Sequence, residues 1–274
     1  MNIEFGMMQG RLTPRYQGRY QCHPNGHWQS EFFVAKSLGL SLIEFIVDSW
    51  YLEDNPLLSH DGLAELQKIS DESGVRVKTL CADVFMDMQF IGNSAAHALK
   101  LLNQLITISL KLGIRDIVIP CVDRSSLQNF TSKTDEFVRL LKPVCQYASS
   151  LGIRLNLETD LPPKPFNSLL NMLGRDNIWV NYDIGNSASL GFCPDEEFTL
   201  YGDRISNVHI KDRTLNGGSV ILGTGDANFQ SVIAQLKSIN FSGPLIFQAA
   251  RAESFIDDLT GVRKQINWFT QQWY

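Results

Sequence analysis

The chain is poor in the features that mark membrane, secreted or nucleic-acid-binding proteins. Its longest apolar runs, such as IVIP and LIEFIV, fall far short of the ~20 residues a bilayer span requires. The opening MNIEFGMMQGRL has no basic patch followed by a long apolar core, so no signal peptide is expected. The five cysteines, Cys22, Cys81, Cys121, Cys145 and Cys193, are scattered and show no CxxC spacing. That pattern suits reduced thiols in a cytoplasmic protein better than a disulfide framework or a structural zinc site. There is no basic run, and 24 Lys and Arg stand against 29 Asp and Glu for a net charge of −5. The electropositive footprint of a nucleic-acid protein is therefore missing. No GxGxxG follows the first apolar run, which argues against a dinucleotide-binding sheet. Low-complexity tracts and Ser/Gly linkers are absent as well.

What is present is a regular alternation of short β-type runs and helical patterns over 274 residues, near the ~250 residues of a single (β/α)8 barrel. Eight runs are read as strands: Ile3 to Met8, Ser41 to Val47, VRVKTLCA, RDIVIPCV, IRLNLET, IWVNYDI, ISNVHIK and PLIFQAA. Four follow a helical stretch closed by Gly39, Gly74, Gly113 or Gly152, because glycine adopts the left-handed conformation that ends a helix. Gly243 introduces the eighth. This grammar predicts one α/β domain over residues 1–274, a (β/α)8 TIM barrel, with an open doubly wound sheet as the rival. Ser94 to Lys111 is expected to be a helix with an apolar stripe at Leu99, Leu102, Ile106 and Leu110. Asp226 is expected to cap a helix running to Ser238, and Ser254 to Trp273 to form the last helix.

In a parallel barrel the strand ends converge on one rim, where the loops build the site. The long loop Thr13 to Asn25 and the segment from Trp50 to His60 should lie there. So should Glu158, Asp183, His209 and Gln248, one at the end of each of the last four strands. Taken singly, a carboxylate at a strand end is usually a cap or an ion-pair partner, and a histidine a hydrogen-bonded structural residue. Taken together, two carboxylates, an imidazole and an amide oxygen suit manganese, magnesium, zinc, cobalt or iron without selecting one. Lys211 shares a strand face with His209 and is read as an anion or hydroxyl contact, or as a rim ion pair with Asp212. Arg251 is a candidate anion clamp. Asp83, Asp123 and Glu44 are candidates for binding ligand hydroxyls. Trp28, Trp50 and Phe85 are read as core or as an apolar wall, Cys81 and Cys121 as buried small hydrophobes, and His23 and His27 as solvent-exposed. The aromatics Trp268, Phe269, Trp273 and Tyr274 should pack against a second copy of the chain or close the barrel end.

The stretches LNLETD, VNYDIGNSASLG, ISNVHIKDR and LGTGDANF, with GMMQGRL and GLSLIEF before them, resemble the xylose-isomerase-like sugar phosphate isomerases and epimerases, a group that also resembles the endonuclease IV fold. The resemblance runs over almost the whole chain, and VHIKD with the downstream LGTGD is its most specific part. It implies metal ligation by Glu158, Asp183 and His209. The fourth family ligand is usually a strand-eight glutamate, where this chain has Gln248. In family epimerases the strand-five and strand-eight glutamates are proposed to move protons on opposite faces of the substrate. Glutamine can offer a carbonyl oxygen but no carboxylate base. The expected activity is thus metal-assisted proton abstraction beside a carbonyl, with Glu158 as base and a small carbohydrate as substrate. A dehydratase on the same scaffold and a sugar-binding barrel without catalysis are the alternatives.

Overall fold

Gly74 and Gly113 end their helices at φ of 76° and 71°, and the chain turns directly into a strand after each. The computed structural model describes residues 3–252 and 255–274; Ser254, expected to open the last helix, lies outside the described residues. Barrel strands are β1 (Phe5–Met8), β2 (Leu42–Ile46), β3 (Arg76–Cys81), β4 (Asp116–Cys121), β5 (Arg154–Thr159), β6 (Trp179–Asp183), β7 (Ile205–Ile210) and β10 (Leu245–Phe247). They close in the order β1-β10-β7-β6-β5-β4-β3-β2, all parallel. The expected closed barrel is observed, not the open sheet. A two-stranded hairpin, β8 (Asp212–Arg213) with β9 (Ser219–Val220), follows β7. The helices are α1 (Trp28–Ser37), α2 (His60–Ser73), α3 (Ala95–Leu112), α4 (Thr134–Ser150), α5 (Pro163–Leu173), α6 (Ile184–Ser189), α7 (Pro194–Tyr201), α8 (Phe229–Ser238) and α9 (Phe255–Trp273). No helix among the described residues is long and apolar enough to cross a membrane.

Three local expectations need correction. Helix α8 is capped by Asn228, whose side chain accepts from the Ser231 N–H; Asp226 instead accepts from Leu215 N at 2.7 Å. The buried face of α3 carries Ala98, Leu102, Leu105 and Ser109, while Leu110 is 50% exposed. Tyr274 is exposed, but Phe269 packs on Phe5 and Phe247, so α9 covers the β1–β10 seam.

The barrel interior is divided. Met8, Leu42, Ile46, Cys81, Val118 and Ile246 form an apolar cluster inside it, separate from the large core beneath the helices. The side made by β5, β6 and β7 is polar: Asn156, Glu158, Asn181, Asp183, Asn207 and His209 are all buried. Register sets the upper part of that side, pairing Asp183 with His209 across β6–β7 and Pro120 with Glu158 across β4–β5. Buried polar groups are tolerated only where they are hydrogen-bonded.

Candidate metal and active site

Strand periodicity puts Asn181 and Asp183 on one face of β6 and Asn207 and His209 on one face of β7, and all four turn inward. Asn181 Nδ2 donates to Glu158 Oε2 at 2.6 Å and Asn186 Nδ2 to Glu158 Oε1 at 2.7 Å. Asp183 does two jobs. Its Oδ1 caps α6 by accepting from Asn186 N at 2.8 Å, while its Oδ2 faces Lys211 Nζ at 3.3 Å and His209 Nδ1 at 3.8 Å. His209 Nδ1 also lies 3.2 Å from Glu158 Oε2. One ligand atom from each of Glu158, Asp183 and His209 falls within 4.8 Å of the others.

The other edge of the His209 ring is fully committed. Nε2 lies 2.6 Å from Glu44 Oε1, and Glu44 Oε2 accepts from Thr79 Oγ1 at 2.7 Å and Asn207 Nδ2 at 2.9 Å. Glu44 and His209 are both 0% exposed. A carboxylate that takes the Nε2 proton leaves the Nδ1 lone pair facing two carboxylate oxygens. Asn181 Nδ2 also reaches Nδ1, at 3.1 Å, but the ring nitrogen and the two carboxylate oxygens together make a donor set that favours a cation. Without metal, that cation is a proton. Burial works against a charged ring, yet Glu44, Asp183 and Glu158 outweigh it and raise the His209 pKa well above its ordinary value. Burial likewise opposes ionisation of Asp183, but Lys211, His209 and the Asn186 N–H hold it at about 2. The nitrogen and carboxylate donors fit a divalent ion, and Lys211 together with such an ion balances the charges of Glu44, Glu158 and Asp183. Gln248, just past β10, has a buried Oε1 with no hydrogen-bond partner, as a neutral oxygen ligand would.

A cleft of about 210 Å³ opens over this group, smaller than the ~300–1,000 Å³ of pockets for drug-sized ligands and suited to one small molecule. Glu158, Lys211 and Gln248 line it with Asp83 and Asp123, and Arg11 and Gln21 reach it from the first loop. Glu44 is not on the cleft; it lies beneath His209, so the structure places it as the support of the imidazole and not against a sugar hydroxyl. Arg251 is also elsewhere. Its Nε pairs with Asp258 at 2.8 Å, and its Nη1 and Nη2 donate to Gly10 O and Thr13 O, each at 2.6 Å. The guanidinium staples the end of β10 to the first loop and has no free fork for an anion. Lys211 pairs with Asp183, not with Asp212, whose carboxylate accepts from the N–H groups of Gly223, Gly225 and Ala227. Trp28 and Phe85 are core residues, and Trp50 is 62% exposed beneath the Arg19 guanidinium.

The supporting residues Asn181, Asn186, Asn207 and Gln21 are not among the sequence candidates. Asn181 and Asn207 had a usable signal, each lying two residues before a candidate on the same strand face. Asn186 and Gln21 had none, because loop and short-helix geometry brings them in.

The chain after β1 is held by a buried charge on α1. Glu31 is fully buried, and its Oε1 accepts from Gly10 N at 2.8 Å and Leu12 N at 3.0 Å. Gly10 sits at φ +81°, where a Cβ would lie 2.4 Å from Cys22 O. Burial pushes Glu31 up to about 7 from 4.5. His23, expected at the surface, is 1% exposed, and burial pushes it down to about 4 from 6.5 against the pull of Asp48; His27 is exposed as expected. The two act in opposite directions. Folded Glu31 keeps its proton between pH 4.5 and 7, so its contribution is present below 4.5 and lost as pH rises to 7. Folded His23 stays neutral, so its contribution is present above 6.5 and lost as pH falls to 4. Relative to wild type, Glu31→Gln should therefore gain about 3 kcal/mol of unfolding free energy between pH 4.5 and 7.5. Urea titrations at the two pH values check this, and an unchanged difference would show that burial does not raise the Glu31 carboxyl.

The profile of the family described as Xylose isomerase-like TIM barrel matches residues 32–272. The chain belongs to this family. One family relative, from Haemophilus influenzae, carries the provisional name L-ribulose-5-phosphate 3-epimerase; it is 23% identical over 271 residues, covering 89% of this chain and 91% of its own. Two solved structures share the fold. A D-allulose 3-epimerase from Methylomonas sp., in complex with D-allulose, superposes with a TM-score of 0.72 at 17% identity over 98% of this chain and 97% of its own. A xylose isomerase-like barrel protein from Mycobacterium smegmatis, in complex with magnesium, gives 0.71 at 15% identity over 99% and 97%.

Proposed function

We propose that this chain is an epimerase or isomerase of a small sugar or sugar derivative, assisted by a divalent metal, with Glu158 as a proton-transfer base. The observation that carries the reading is the convergence of Glu158, Asp183 and the Nδ1 edge of His209 below an open cleft, with Glu44 holding the opposite ring edge. Glu158, Asp183, His209 and the Gln248 oxygen would hold the ion, which supplies Lewis-acid polarisation of a substrate oxygen. Glu158 faces the cleft with amide N–H donors on both oxygens, which fixes the carboxylate for removal of a proton next to a carbonyl. Lys211 and Asp123 line the same space and would contact substrate oxygens. The names of the relatives favour epimerisation of a ketose or its phosphate over dehydration.

Protein purified without chelator should hold about one equivalent of divalent metal, and His209→Ala and Glu158→Ala should lose it. Uptake by metal-free protein should release a proton, because the ion takes the place of the proton on Nδ1. No metal in wild type, even after exposure to manganese, cobalt and magnesium, would sink the metal-assisted reading and leave a sugar-binding barrel. An ultraviolet-absorbing enone product would instead mark a dehydratase.

A further inference from the structure

We infer that Asp83 is the second proton-transfer group of this cleft, held by Gln21, and that it takes the role for which Gln248 lacks a titratable oxygen. The inference rests on the reaction proposed above and makes that reaction an epimerisation.

Arginine only donates, and Arg11 Nη2 meets Gln21 Oε1 at 2.7 Å. Gln21 therefore turns its oxygen to Arg11 and its Nε2 to Asp83 Oδ2, at 2.8 Å. The same Gln21 oxygen accepts Gln248 Nε2 at 3.0 Å, which leaves Gln248 Oε1 as the free atom. A carboxylate at position 248 would set an oxygen against Gln21 Oε1. Gln21 cannot turn over to relieve that contact without pointing its NH2 group at Arg11. The first loop is thus arranged around an amide at 248, and a second proton must come from another side chain.

Besides Glu158, two carboxyls line the cleft among the described residues, Asp83 and Asp123. Asp123 is exposed. Asp83 is only partly exposed, makes no ion pair among the described residues, and has the Cys81 thiol 3.1 Å from its Oδ1. Burial, reinforced by the charge of Glu158, lifts its carboxyl above the usual carboxylate range. The two cleft carboxyls are held differently: Asp83 has one amide donor, from Gln21, and a weakly donating thiol, whereas both Glu158 oxygens accept from amide NH2 groups. Pairs of carboxyls with environments that differ in this way divide acid and base roles between them.

The step balances. Glu158 takes the proton from the carbon beside the substrate carbonyl, and the C–H electron pair becomes the C=C bond of an enediolate. Asp83, approaching from the end of β3 and not of β5, gives its proton to that carbon on the other face, and the carbonyl re-forms. Asp83 is left as carboxylate and Glu158 as acid, and exchange with water resets both.

The test uses the manganese-loaded protein in D2O with L-ribulose 5-phosphate and D-allulose as probes. Epimer and deuterium at the reacting carbon are followed by NMR. Asp83→Asn keeps an acceptor for Gln21. It should lower epimer formation about 10²-fold or more, while recovered substrate still gains deuterium through Glu158. Infrared difference spectra of the metal-free proteins at neutral pH should show a carboxylic-acid carbonyl band in wild type that is missing in Asp83→Asn. An Asp83→Asn protein that epimerises like wild type, or a difference spectrum without that band, overturns the inference and leaves the proposed reaction standing. A wild type that exchanges no hydrogen on either sugar overturns the reaction itself, and the inference with it.

Discussion

Glu158→Gln should reduce turnover by about 10²- to 10⁴-fold, the usual contribution of a positioned acid–base group, with loss of hydrogen exchange at the substrate carbon in step. The substitution changes few atoms but fails at two contacts. Both Glu158 oxygens accept from amide NH2 groups, Asn181 at 2.6 Å and Asn186 at 2.7 Å, and glutamine would turn one NH2 group against another. It also removes one of the two carboxylates that face His209 Nδ1, so metal affinity should fall as well. Assays at saturating manganese separate the two effects: metal can be restored by concentration, the missing base cannot. Turnover restored to wild-type level by metal alone would make Glu158 a ligand and move the proton-transfer role to another side chain, Asp83 first.

The barrel was legible because its signals are local. Gly39, Gly74, Gly113 and Gly152 each end a helix at positive φ, and the apolar run after each becomes a strand. The strand-end set was legible for a related reason: parallel closure brings strand ends together whatever the loops do. Residues whose roles depend on depth were harder to read. Glu44 lies mid-strand with Leu42 and Ile46 on its face, two residues of the interior apolar cluster, and this position sets it below the rim. A charge inside such a run suggested a ligand contact, whereas it marks a buried partner. His23 and Arg251 misled in the same way. Loop residues are ordinarily solvated, but this first loop folds back over the barrel end, where Glu31, Asp48 and Asp258 from other elements organise it. The hairpin Asp212–Arg213/Ser219–Val220 and the short helix Ile184–Ser189 are too brief for any periodicity to show.

Glu44→Ala should cost about 3–5 kcal/mol of folding stability, the usual consequence of removing one partner of a buried ion pair. It should also weaken metal binding about 10- to 100-fold. The side chain has no other solvent or partner to turn to. It holds His209 Nε2 with one oxygen and Thr79 and Asn207 with the other, and its removal leaves three buried donors to be satisfied anew. Glu44→Gln isolates the electrostatic part. An amide oxygen can still accept from His209 Nε2, but its NH2 group then faces Asn207 Nδ2, donor against donor, and the charge opposite the ring is lost. Without that charge nothing selects the Nε2 proton so strongly, and the ring spends part of its time with Nδ1 protonated and unable to bind metal. Manganese titration by calorimetry and urea unfolding of the metal-free proteins read the two consequences separately. A Glu44→Gln protein with wild-type metal affinity would show that the ring is oriented by Asn181 and the β6–β7 register alone, and that the carboxylate below it serves only the fold.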